Sequence, residues 1–193
     1  MTLDQPIGLI PVDLEGGQLN ISQNQPKFGP VINKPKELAQ ALSLTLNYLA
    51  DYPVEIVSTG LPSVIMAVKG SRALVSCAVN QLLFGAWLRE TADCNVLVFT
   101  EEKKADSLTL RVRVFVNDTG YFEDPATGSA NGNLAAYLLK HGIFGRNNIE
   151  YQVKQGFEMK RPSRLNISAE FNQGVFKIRV GGRVQPVAAG KWF

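Results

Sequence analysis

The run ANGNLAAYLL, Ala130 to Leu139, most constrains what this chain can fold into. Leu134 and Tyr137 or Leu138, with Ala135 and Leu139 beside them, recur at helical spacing, and the other positions are mostly small. A helix that is apolar almost all round belongs at the centre of a domain, with other elements wrapped around it. Thr127-Gly128-Ser129 supplies the hydroxyls and the small residue that a helix start favours. Lys140 and His141 fall in the last turn, where cations complement the helix dipole, and Gly142 is placed to end it.

The opening amides of a helix have no internal partners and are ready donors for an anion. Here Gly128 lets a ligand come close to the backbone, and two carboxylates, Glu123 and Asp124, precede those donors by a few residues. A group able to move a proton then sits beside a site able to hold a carboxylate. The plainer alternative is that Asp124, Thr127 and Ser129 cap a buried helix and do nothing more.

EDPATGSA, Glu123 to Ala130, resembles the signature of the phenazine-biosynthesis PhzF-like family, whose fold is related to diaminopimelate epimerase. The likeness extends to STGLP at Ser58 to Pro62, RVRVF at Arg111 to Phe115 and QGFEMKRPSRL at Gln155 to Leu165. It implies an α+β fold with a mixed, barrel-like sheet around a central helix. It also implies a cofactor-free isomerase site between two similar domains, with the motif's Asp and Ser, here Asp124 and Ser129, in the active site. Thr127, Gly128 and Ala130, with Gly60 of the STGLP turn, are the matching candidates for holding substrate. Members of the family place a comparable domain ahead of this part, and it contributes a catalytic glutamate and a Gly-His pair. The one histidine here is His141, at the far end of the helix, and nothing upstream matches either element. Lys160 stands where the pattern leads us to expect glycine.

At 193 residues and 45% hydrophobic content the chain can bury a real core. Charged residues are 19% and the net charge is +3, dispersed, which is compatible with a weak preference for small anions and equally with none; a small anionic metabolite is the expected partner because of the helix start, and nucleic acid is not expected. Cys77 and Cys94 lack CxxC spacing and are read as reduced core residues of a cytoplasmic protein. One histidine and two scattered cysteines offer no metal-ligand cluster, so no metal is expected, and the resemblance implies no cofactor. No apolar run approaches the roughly 20 residues of a membrane span, and the N-terminus lacks the basic-then-apolar pattern of a signal peptide.

Along the chain, residues 7–14 and 18–24 read as two strands joined at Glu15-Gly16-Gly17. Residues 24–35 read as a loop, with Asn24 to Phe28 either an ordinary linker or a segment reaching toward the cleft, and 35–47 as a helix with Leu38, Ala41, Leu42 and Leu46 on one face. Strands follow at 54–58 and 63–68, a strand or helix start at 72–78, and a helix at 79–91 burying Leu82, Leu83, Ala86 and Trp87. Residues 95–100 and 108–116 read as strands, with Arg111 and Arg113 on the second strand's other face, either solvated or near the cleft. EEKKADS between them reads as a surface loop. After the central helix come strands at 149–153, 165–171 and 175–180, then Gly181-Gly182 and a last strand at 183–189, with Trp192-Phe193 expected to pack. This order divides into strands of a first epimerase-like domain at 1–34, a linker helix at 35–53 and a second domain at 54–193, whose final strand could return to the first.

Two functions fit. One is a PhzF-like isomerase moving a proton on a small carboxylate-bearing metabolite, with the missing acid or base supplied by a second chain or a longer natural protein. The other is a truncated remnant or dimerising small-molecule-binding module that keeps the anion pocket without turnover. In both, the strands of residues 7–24 have an incomplete sheet to join, and a homodimer is expected.

Overall fold

The computed structural model describes residues 1–5, 8–15, 17–91, 93–102, 108–118, 121–185 and 187–191. In chain order the elements are β1 (Thr2–Gln5), β2 (Gly8–Glu15), β3 (Gln18–Ser22), β4 (Lys27–Val31), α1 (Pro35–Ala41), β5 (Glu55–Ser58), β6 (Pro62–Ala67), α2 (Gly70–Ser76), α3 (Gln81–Thr91), β7 (Asn95–Glu102), β8 (Thr109–Asp118), β9 (Tyr121–Asp124), α4 (Gly128–Lys140), β10 (Asn148–Gln155), β11 (Ser163–Asn172) and β12 (Val175–Arg183). The strands join one mixed sheet in the order β1-β2-β3-β12-β11-β10-β8-β7-β6-β5-β4, with β9 paired to β8. The β6–β7 and β8–β10 pairs are parallel, and the rest are antiparallel.

The helix α4 lies inside this sheet, against β5, β6, β7, β11 and β12. Leu134, Tyr137, Leu138 and Leu139 fill a core with Ile65, Leu97, Val112, Val153 and Val180. The sheet closes towards itself where Gln25 takes the Phe176 N–H at 3.0 Å and donates to its carbonyl at 2.7 Å, while Phe28 of β4 packs on Phe176 of β12 at 5.7 Å. A second core lies on the outer face, where Val64, Met66, Val96, Val98 and Phe115 meet Leu38, Leu42, Leu74, Phe84 and Trp87. β6 and β7 are therefore buried on both faces, which is why they read as continuous apolar runs.

The fold is thus α+β and diaminopimelate epimerase-like, with the sheet wrapped around one central helix. The strands of residues 1–34 join the same sheet, β3 on β12 and β4 on β5. Some expected elements differ in extent or type. The helix expected over 35–47 stops at Ala41, because Ser43 takes the left-handed conformation at φ 57° and the Leu44 N–H returns to the Ala39 carbonyl. Leu46 is consequently exposed, in a short 3-10 turn at Leu46–Tyr48. The loop expected over 24–35 contains β4, and of the two readings for residues 72–78, strand or helix start, the helix holds, as α2 to Ser76.

The buried face of α3 is Phe84, Trp87 and Leu88, whereas Leu82 is 85% exposed and Leu83 is exposed as well. Asn80 explains the rotation: its carbonyl takes the Phe84 N–H and its side chain the Leu83 N–H, which sets the helix start and turns the i, i+3, i+4 stripe from Phe84 onto the sheet. Gly181 and Gly182 do not break the chain but continue β12. A Cβ on Gly181 would come within 2.0 Å of the Asn20 side chain, so the strand crosses there only without a side chain. No strand follows at 183–189 among the described residues, and Trp192-Phe193 lies outside them, as do Gly16 and most of EEKKADS. Cys77 and Cys94 are free and buried in the outer core, as expected.

Candidate active site at the start of the central helix

Asp124 ends β9, held antiparallel to Val114 of β8, and the chain then turns through Pro125 into α4. Thr127 occupies the position before the helix, but its side chain does not cap it. The hydroxyl instead donates to Asp124 Oδ2. Among the described residues nothing takes up the N–H groups of Gly128, Ser129 and Ala130, and the first intrahelical bond is Asn131 N–H to the Thr127 carbonyl at 3.3 Å. These donors, with the positive end of the helix dipole, remain available to an anion.

Gln155 organises the junction, and the sequence reading did not single it out as a site residue. It is fully buried at the end of β10. Its Nε2 donates to the Asp124 carbonyl at 2.7 Å and to Thr127 Oγ1 at 2.9 Å. Its Oε1 accepts from the Thr127 N–H at 3.3 Å and from Asn131 Nδ2 at 2.9 Å. One backbone acceptor and one backbone donor fix which way this amide points. Because Nε2 can only donate, Thr127 Oγ1 accepts from it and turns its own proton to Asp124. The signal was legible: period two along β10 puts Gln155 in the row of Ile149, Tyr151 and Val153, a polar side chain at an apolar position. Gly156 follows at φ 78°, and a Cβ there would meet the Arg161 and Pro125 carbonyls at 2.3 and 2.9 Å, so only glycine lets the two loops touch. Asn131 Oδ1 stays buried without a partner.

The Gly60 turn is tied to the helix one turn further along. Asn133 Oδ1 accepts from the Thr59 N–H at 2.6 Å and its hydroxyl at 2.9 Å, while Nδ2 donates to the Leu61 carbonyl at 2.8 Å and Ser63 Oγ at 3.0 Å. Asp124 and Thr127 are thus brought together beside Gly128, while Gly60 is exposed and the Ala130 methyl is in the core. Ser129 is half-buried.

The two β8 arginines serve the protein's interior. Arg113, 7% exposed, grips Glu123 through Nε at 2.9 Å and Nη2 at 2.6 Å, and its Nη1 donates to the Leu74 and Cys77 carbonyls at the end of α2 at 3.2 and 2.6 Å. Burial alone would lower its pKa, but the hydrogen bonds and charge of Glu123 outweigh that and raise it. Arg111 pairs with Glu158. Neither is a solvated sheet residue, and both are engaged with carboxylates.

Gly128 and Ala126 border a cleft of about 790 Å³ whose walls include Leu19, Ile21, Ser163, Leu165 and Val180. A Cβ built on Gly128 meets nothing within 4 Å, so the backbone there faces open space. Among the described residues no group of three or more His, Cys, Asp or Glu side chains is placed to hold a metal ion, and no helix is long and apolar enough to cross a membrane.

Residues 1–190 match the family of phenazine biosynthesis-like proteins. An uncharacterized isomerase from Clostridium acetobutylicum is 28% identical over 86% of this chain and 58% of its own length. The trans-2,3-dihydro-3-hydroxyanthranilate isomerase of Pseudomonas aeruginosa is 28% identical over 98% of this chain and 66% of its own length. Among solved structures, a PhzF-family phenazine biosynthesis protein from Bacillus anthracis superposes with a TM-score of 0.80 at 24% identity, over 94% of this chain and 64% of that one. A predicted epimerase from Pseudomonas aeruginosa gives 0.71 at 30% identity, over 93% and 61%. The chain spans 58% to 62% of the length of three uncharacterized isomerases that it matches. With its EDPATGSA element at the start of the enclosed helix and the family match running over residues 1–190, the chain belongs to the phenazine biosynthesis-like, or PhzC-PhzF, family.

Proposed function

We propose that this chain is the part of a PhzF-like isomerase that holds a small carboxylate-bearing metabolite and moves a proton on it without a cofactor. The observation that carries the reading is the uncapped start of α4, where Thr127 gives its hydroxyl to Asp124 and leaves the first-turn amides to a ligand. In this reading the amides of Gly128, Ser129 and Ala130 receive the substrate carboxylate. Asp124, with Ser129, positions the reacting carbon and assists proton movement. Relatives called isomerases support the reaction class. A second acid or base comes from protein beyond this chain or from a second copy. The β1 edge of the sheet is where we expect two copies to associate, and a monomer by sedimentation at every concentration would contradict that association.

A second reading, a carboxylate-binding module without turnover, is favoured by Glu123, the other carboxylate beside the site, which is held by Arg113 rather than left to move a proton. Removing a proton-transfer group typically costs about 100- to 10,000-fold, so a chain lacking its partner acid would be nearly inert. Deuterium incorporation from D₂O into trans-2,3-dihydro-3-hydroxyanthranilate, followed by NMR, separates the two. Incorporation lost in Asp124→Asn supports the isomerase. Binding of the compound without incorporation leaves the module.

A further inference from the structure

The cleft beside Gly128 has no carboxylate among its lining residues and two arginines, Arg164 and Arg183. They belong to neighbouring strands. The β11–β12 pairing runs to Asn166 with Gly181, and Arg164 and Arg183 each lie two residues beyond it, at the open end of their strands. The cleft wraps the open end of these strands, so Leu165 and Val180 from the row facing α4 and the two arginines from the opposite row all line it.

Like charges on neighbouring strands repel, and a carboxylate or a bound anion between them relieves that. Arg111 and Arg113 have Glu158 and Glu123. Arg164 and Arg183 are exposed and have no carboxylate partner among the described residues. Their planar forks match a carboxylate bidentately. At about 790 Å³ the cleft lies within the range of small-molecule sites, and its apolar walls suit a ring or short chain between two acidic ends.

We propose that Arg164 and Arg183 form a second anion subsite, so that the metabolite held at the start of α4 carries two acidic groups. One meets the first-turn amides and the other the guanidinium pair. This rests on the reading of the α4 start as a carboxylate receptor, and the test keeps the two apart.

Calorimetric titration of the whole chain with benzoate and with isophthalate, which adds a second carboxylate on the same ring, reads the subsite directly. Isophthalate is expected to bind about tenfold tighter or better, as a charge-assisted bond implies. In Arg164→Gln/Arg183→Gln that preference disappears while benzoate binding stays. Arg179→Gln, an exposed β12 cation outside the cleft lining, keeps it. Equal binding of both probes by the unaltered protein overturns the second subsite alone, as does a preference that survives the double variant or vanishes in Arg179→Gln. Failure of both probes to bind overturns the receptor at α4 and the subsite with it.

Discussion

The two ends of α4 are built in opposite ways. At the C-terminal end Glu55, 1% exposed on β5, receives Lys140 and lies 2.7 Å from His141 Nε2, while Tyr137 donates to the Pro53 carbonyl at 2.7 Å. Lys140 also sits 4.4 Å above the Phe28 ring, and Gly142, at φ 58°, turns its N–H back to the Leu139 carbonyl. Cations, dipole and last carbonyls are all matched there. At the N-terminal end the hydroxyl in capping position is turned away, the first amides are left open, and the polar side chains beneath them are locked by Gln155. A helix with one sealed and one open end is anchored at the first and keeps unpaired donors at the second.

The sealed end should carry the larger stability. Glu55→Ala removes the carboxylate shared by Lys140 and His141 and is expected to cost about 3 kcal/mol in urea unfolding, the low end for a broken buried pair because Lys140 reaches solvent. It should leave carboxylate binding unchanged in the folded protein. A smaller loss at this end than at the other would invert the comparison. Gln155→Leu, at the open end, strands the Asp124 carbonyl and the Thr127 N–H and should cost about 2 kcal/mol. Unlike Glu55→Ala it should also weaken carboxylate binding, because the loop that presents the amides loses its brace.

Behind the open end, the Cys77 carbonyl anchors Arg113, which grips Glu123 beside Asp124. Burial pushes the Cys77 thiol from 9.0 up to about 12 against the opposing pull of Arg113, and burial pushes Cys94 up to about 11. A thiol raised in the folded state contributes its full share of stability below 9.0 and loses it as the pH climbs towards 12. Urea midpoints should therefore fall above pH 9.0, and Cys77→Ala/Cys94→Ala should show less of that fall. Thiol reagents at pH 8 should label the folded protein slowly. The smallest effect is at Lys160, which holds φ 60° in the loop after Gly156. Lys160→Gly should stabilise by about 0.5–1 kcal/mol, since glycine adopts that conformation without a Cβ penalty. A loss of stability would mean that the lysine side chain holds the loop.

Much of this architecture is readable along the chain. The apolar positions of α4 require enclosure, and the two-sided burial of β6 and β7 follows from their uninterrupted Val, Ile and Leu runs. The unread parts are those where a side chain decides against periodicity. Asn80 rotates α3, Ser43 ends α1 early, and Asn20 occupies the space over Gly181. Around the site, EDPATGSA marks Asp124, Thr127 and Gly128 as neighbours, but their partners come from far along the chain. Gln155, Glu55 and Asn133 are polar residues at inward positions, and which group each one meets depends on strand pairings that no local pattern encodes.

The open end is tested most directly by following the backbone amide resonances of Gly128, Ser129 and Ala130 in an NMR titration with benzoate. The account predicts that these three move together and saturably, and that Gly128→Val, whose added atoms enter open space, abolishes the response while the protein stays folded. Movement confined to exposed lysines and arginines elsewhere, or the same response in Gly128→Val, would contradict it.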